Sequence, residues 1–190
     1  MEIEVSKASN EARLLHQRIS EKTKLIHPFV LMGNVEFLVI VSPDAKDGVD
    51  DGGNIYIDID GYEFTISYGF THTHLAYNKE TLEDDVKVVV DFVMDIIEHR
   101  IAGYYYISSD DHKRMGFFPF VNDEDIYATF LMKDLKSIYR SKNGGDAKPT
   151  VDELIELSSS IENKETATLY YVLFGNDLVK HKFYIEEEEE

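Results

Sequence analysis

Residues 54–68, NIYIDIDGYEFTISY, constrain the fold more tightly than any other stretch of the chain. Two segments of alternating apolar and polar residues flank Asp60-Gly61, a dipeptide that favours a type I′ hairpin turn. A two-residue loop would pair Ile59 with Tyr62, Ile57 with Phe64 and Ile55 with Ile66. All six side chains then share one face, so turn chemistry and alternation agree on one register. The opposite face would place Asp58 against Glu63. Like charges directly opposed are mildly destabilising, which leads us to expect solvent, a cation or a basic partner there.

The second strand leads into Tyr68-Gly69-Phe70-Thr71-His72-Thr73-His74-Leu75. Run on without interruption, Phe70, His72 and His74 share the face of Phe64 and Ile66. A bulge at Gly69 would turn both histidines outward.

The rest of the chain alternates helical and strand signals. Ser9 or Asn10 caps a helix carrying Ala12, Leu15 and Ile19, and Pro28 closes it off. Val35 to Val41 is β-branched and almost continuously apolar, the pattern of a buried strand. Pro43 to Gly53 is an Asp/Gly loop. Thr81 caps a long helix through Leu82, Val86, Val89, Val90, Val93, Ile96 and Ile97, with acids in its first turn. Tyr104 to Ile107 and Arg114 to Phe120 form a second hairpin, with Gly103 read as a break. Asn122 or Asp123 opens a helix through Phe130, Leu131, Leu135 and Ile138 that stops at Gly144. Thr150 to Glu153 is a capping box for a shorter helix with Leu154 and Leu157. Residues 167–174 and 178–185 are the last strands. Five terminal glutamates, Glu186 to Glu190, repel one another and bury nothing, so that tail is expected to be disordered.

This order predicts an α+β fold: an antiparallel sheet built from hairpins, with helices packed on it. One domain over residues 1–185 is expected, and Asn143 to Asp146 is the best candidate linker. The chain has no cysteine, which excludes disulfides and thiolate metal sites. Its start is polar, with no signal-peptide pattern, and the apolar run Phe37 to Val41 is too short for a bilayer. A cytoplasmic location is expected.

The formal net charge is −18, and residues 44–95 hold thirteen Asp/Glu against three Lys. A field of that sign repels nucleic acid and anionic membrane and steers basic partners inward. The candidate contacts for a basic protein are Asp47, Asp50, Asp51, Asp58, Glu63, Glu83, Asp84 and Asp85. His72 and His74 are the one ligand pair with metal spacing. His112 is the leading third ligand, with Asp110, Asp111 and His99 as further candidates. No GxSxG elbow and no glycine-rich phosphate loop is present. Tyr104, Tyr105 and Tyr106 with Phe117, Phe118 and Phe120 offer an exposed aromatic platform or, at alternating spacing, turn half of their number to the core.

The run Tyr68-Gly69, His72, His74, Leu75, following an acidic strand and an Asp/Gly loop, resembles small bacterial immunity-type proteins of polymorphic toxin systems. The similar region runs over about residues 33–120, with Leu75 where an aromatic residue is expected. The resemblance implies a cytosolic, non-enzymatic protein that neutralises a cognate toxin by binding it, without a cofactor. A metal-dependent enzyme centred on His72 and His74, using a divalent ion such as zinc, is the alternative. An acidic structural or regulatory domain is a further one. Oligomeric state is not legible.

Overall fold

The structure, a computed structural model, describes residues 7–26, 30–32, 35–43, 53–61, 63–76, 81–107, 113–120, 122–160, 165–175 and 179–184. It is α+β, as the element order predicts. The helices are α1 (Asn10–Ser20), α2 (Leu82–Ile97), α3 (Asp123–Asn143) and α4 (Val151–Ser160). Strands β1 (Val30–Met32), β2 (Val35–Ile40), β3 (Ile55–Ile59), β4 (Glu63–Tyr68) and β5 (Thr71–Ala76) form a five-stranded antiparallel sheet in sequential order. Strands β6 (Ile101–Ile107), β7 (Lys113–Pro119), β8 (Glu165–Val172) and β9 (Val179–Tyr184) form a second sheet in the order β7-β6-β8-β9.

The chain divides into two compact units, one of residues 1–104, 116–119 and 172–178, the other of residues 105–115, 120–171 and 179–190. Asn143 to Asp146, the candidate linker, joins α3 to α4 inside the second unit and separates nothing.

In the first unit α1 and α2 cover one face of the five-stranded sheet. Ala12, Leu15 and Ile19 from α1 and Val86, Val89, Val93 and Ile96 from α2 meet Leu38, Ile40, Ile55, Ile57, Phe64 and Ile66, and every one of these is fully buried. Ser9 caps α1, its hydroxyl accepting from the Ala12 N–H at 3.1 Å. Glu36 of β2 accepts in turn from the Ser9 N–H at 2.9 Å, which ties the helix start to the sheet. Thr81 caps α2 by the same chemistry, accepting from the Asp84 N–H at 3.2 Å.

Four differences from the sequence expectation are physical. First, β2 is not buried on both faces: Leu38 and Ile40 are buried, whereas Phe37 and Val39 are half-buried on the other side. Second, the Asp60-Gly61 turn is not type I′. Ile59 pairs with Phe64, Ile57 with Ile66 and Ile55 with Tyr68, leaving a four-residue loop over 60–63. Gly61 has φ +89°, but Asp60 does not share a positive φ; its carboxylate instead accepts from the Glu63 N–H at 3.1 Å. Third, β4 ends at Tyr68. Gly69 and Phe70 form a two-residue turn, with Gly69 alone at positive φ (+59°), the pattern of type II′, and β5 returns antiparallel. Fourth, Gly103 does not break a pattern but sits buried within β6, where an added Cβ would stand 3.0 Å from the Tyr68 carbonyl. β1 was not anticipated; three residues after Pro28 are too short to carry a periodic signal.

In the second unit, Leu135 of α3 packs on Leu154 and Leu157 of α4, with Leu131, Met132, Ile138 and Tyr139 around them. The expected capping box is present: Glu153 N–H donates to the Thr150 hydroxyl at 3.3 Å, and Thr150 N–H donates to the Glu153 carboxylate at 2.7 Å. The Tyr139 hydroxyl donates to the same carboxylate at 2.7 Å, fastening α4 to α3. Those bonds, led by the Thr150 N–H, hold the Glu153 carboxyl below the usual range.

Tyr68, at the end of β4, has its hydroxyl buried without a hydrogen-bond partner among the described residues. Burial pushes its ionisation up. An unsatisfied buried hydroxyl is a net cost, so Tyr68→Phe is expected to stabilise the protein by about 1 kcal/mol. A urea midpoint that falls for Tyr68→Phe would show that the hydroxyl is satisfied after all.

Candidate functional site

The turn at Gly69-Phe70 decides where the histidines point. Because Tyr68 pairs with Thr71, His72 falls opposite Ser67 and His74 opposite Thr65. Thr65 in turn pairs with Asp58, which pairs with Phe37; Ser67 pairs with Tyr56, which pairs with Val39. Two rows therefore cross the sheet on the face away from α1 and α2: Phe37, Asp58, Thr65, His74 and Val39, Tyr56, Ser67, His72. The histidines do not share the face of Phe64 and Ile66. They are exposed, and a hairpin rather than a bulge puts them there.

Polar contacts gather around His74, and a ring contact joins the two rows. His74 Nδ1–H donates to Glu63 Oε1 at 2.7 Å, and the Thr65 hydroxyl stands 3.0 Å from the same nitrogen. The imidazoles of His72 and His74 meet edge to face, with centroids 5.0 Å apart and planes at 89°. Asp58 lies opposite Thr65, not Glu63, so the expected carboxylate pair is not formed. Asp58 has no hydrogen-bond or ion-pair partner among the described residues. Burial and then the Asp60 charge raise its carboxyl above the usual range, with His72 partly offsetting them.

That shift has a sign. A raised carboxyl holds its proton more firmly folded than unfolded, so its contribution is present at low pH and lost as pH rises through the raised value. At neutral pH the ionised Asp58 therefore opposes folding. Asp58→Asn is expected to melt above wild type at about pH 7, and the gap should close as the pH falls below about 3.9, where the unfolded chain's Asp58 is protonated too. Paired melting curves over that range check it; a variant that melts lower at neutral pH would mean that the charge is compensated.

The other acidic candidates separate. Glu83 and Asp84 sit at the start of α2, on the helix side of the sheet rather than on the face of Asp58 and Glu63. Glu83 is paired with Arg18 at 2.8 Å. Asp84 accepts from the Thr81 hydroxyl at 2.7 Å and has no cation beside it among the described residues. Asp85 is buried, at 8% exposure, and so leaves the contact surface. It precedes Val86 and shares a helix face with Val89, at the edge of the apolar stripe. Asp47, Asp50 and Asp51 lie outside the described residues, as do His112, Asp110 and Asp111. His99 does not join the other histidines: it closes α2 at φ +59° and donates through Nε2 to the Phe174 carbonyl at 2.6 Å. No group of three His, Asp or Glu among the described residues is arranged to hold a metal ion.

The aromatic stretch packs rather than forming an exposed platform. Phe117 meets Phe92 edge to face at 5.0 Å, and Tyr104 lies 5.6 Å from Phe118. In the second unit Tyr106 is buried against Phe130 at 5.2 Å, and Tyr105 lies 6.1 Å from Tyr170.

Sequence reasoning found Asp58, Glu63, His72 and His74 but missed Thr65, Ser67 and Tyr56 as their neighbours. The signal that would have found them is Gly69 at the first central position of a two-residue turn. No helix among the described residues is long and apolar enough to cross a membrane. No protein-family model, curated protein or solved structure matches the chain.

Proposed function

We propose that this protein is a non-enzymatic acidic binding protein of the immunity kind, acting in the cytoplasm by direct association with a basic protein, a cognate toxin. The observation that carries this reading is the concentration of charge, thirteen Asp/Glu against three Lys in residues 44–95. Within that stretch Asp58 and Asp84 have no cation paired with them among the described residues, whereas Asp91 is matched by Lys87 at 3.1 Å. A partly desolvated carboxylate such as Asp58, beside Phe37 and Tyr56, suits a guanidinium, which stacks on aromatic faces while its N–H groups satisfy the oxygens. Capture of a basic protein on the immobilised chain, association kinetics across a salt series, and growth of cells expressing that protein with and without this chain test the reading. Salt-sensitive capture together with restored growth supports it; capture without restored growth would remove the toxin.

A further inference from the structure

His72 and His74 carry an inference independent of any protein partner. Alternate residues of β5 present both imidazoles on one exposed face. His74 donates its Nδ1–H to Glu63, which fixes the ring; in the neutral imidazole the lone pair is then on Nε2. A carboxylate holding the far nitrogen of an imidazole is the usual support of a metal-ligating histidine. His72 has no hydrogen bond from either nitrogen among the described residues.

The ring spacing is a quantitative check. A late divalent ion sits about 2.0–2.1 Å from each nitrogen, with the ring centroid roughly 1.1 Å further on. Two imidazoles on one ion, at an angle between a right angle and the tetrahedral one, then have centroids about 4.5–5.2 Å apart. The observed 5.0 Å between the two rings of β5 lies inside that interval. The nearby carboxylates, Glu63 and Asp58, raise the local cation concentration, and imidazole selects late divalent ions over magnesium or calcium.

We propose that His72 and His74 form a two-imidazole site for one late divalent cation such as nickel(II) or zinc(II), with Glu63 as the positioning residue for His74. Water completes the coordination. The site differs from the expected triad: its third member orients a ligand instead of binding the metal, and His112 is not needed.

The experiment is calorimetric titration of the full chain, free of any histidine tag, with nickel(II) and separately with zinc(II). One equivalent is expected to bind wild type. His72→Ala and His74→Ala together should abolish that isotherm while leaving the circular dichroism spectrum and melting temperature in place, since both side chains are exposed. Glu63→Ala should weaken binding about tenfold or more, the usual effect of losing such a support. A flat isotherm for wild type, or a stoichiometric one that survives loss of both histidines, would overturn the site. Affinity unchanged by Glu63→Ala would overturn the positioning role, and magnesium competing on equal terms would overturn imidazole ligation.

Discussion

Gly69→Ala is expected to lose about 2–4 kcal/mol of stability, because it meets two penalties at once. The first is conformational: φ is +59°, where a side chain crowds its own backbone. The second is steric: a Cβ at this position would stand 2.5 Å from Val172 Cγ1. Val172 is buried in the core of the first unit, so it cannot swing into solvent to make room. Gly61→Ala is the internal control. Its φ is +89°, but nothing lies within 4 Å of an added Cβ, so only the backbone penalty of about 1 kcal/mol applies. Urea denaturation of both variants reads the difference. Equal midpoints would mean that the contact with Val172 is absent and that the β4–β5 turn is looser than described. The effect reaches the candidate site, since the Gly69-Phe70 turn is what sets His72 and His74 on the same face as Asp58 and Glu63.

That turn also marks where the sequence stops being legible. Alternation in 55–66 gives the buried face correctly although the predicted register is wrong by two residues. Side chains repeat every second position, so a shift of two leaves Ile57, Phe64 and Ile66 on the core side. The cross-strand partners are not protected in this way, and Asp58 meets Thr65 instead of Glu63. Past Tyr68 the sequence leaves the parity open. Treating Gly69 as an interior strand residue puts the histidines in the core; treating it as a turn residue puts them outside. Periodicity does not choose between them, because His-Thr-His-Leu alternates acceptably either way. The helices are more transparent, since their caps are local: Ser9, Thr81, Asn122 and Thr150 each bind a backbone N–H three residues ahead. Asp85 is the exception. Its place in the first turn reads as an exposed acid, and only packing of the stripe that contains Val86 and Val89 buries it.

Splitting the acids between two sides of the sheet yields a sharper expectation for recognition. A partner that grips the face of Asp58 and Glu63 does not also grip Glu83 and Asp84 on the helix side. Long-range attraction nevertheless sums over all of them, because fields extend about 8–10 Å at physiological salt and further when salt is low. Reversing either Asp58→Lys or Asp84→Lys should therefore slow association at low salt, by roughly threefold to tenfold each. At about 1 M salt the Debye length is near 3 Å, and both variants should associate at the wild-type rate. Dissociation should discriminate between them: only the residue inside the contact leaves a buried charge unpaired, and only its variant should dissociate faster. We expect that variant to be Asp58→Lys, since Asp58 is the partly desolvated carboxylate with no hydrogen-bond or ion-pair partner among the described residues. Stopped-flow association and surface-capture dissociation on the same pair of variants provide both rates. Association that is indifferent to salt would remove electrostatic steering, and with it the argument for a basic partner. Faster dissociation for Asp84→Lys alone would keep the basic partner and move its contact to the start of α2.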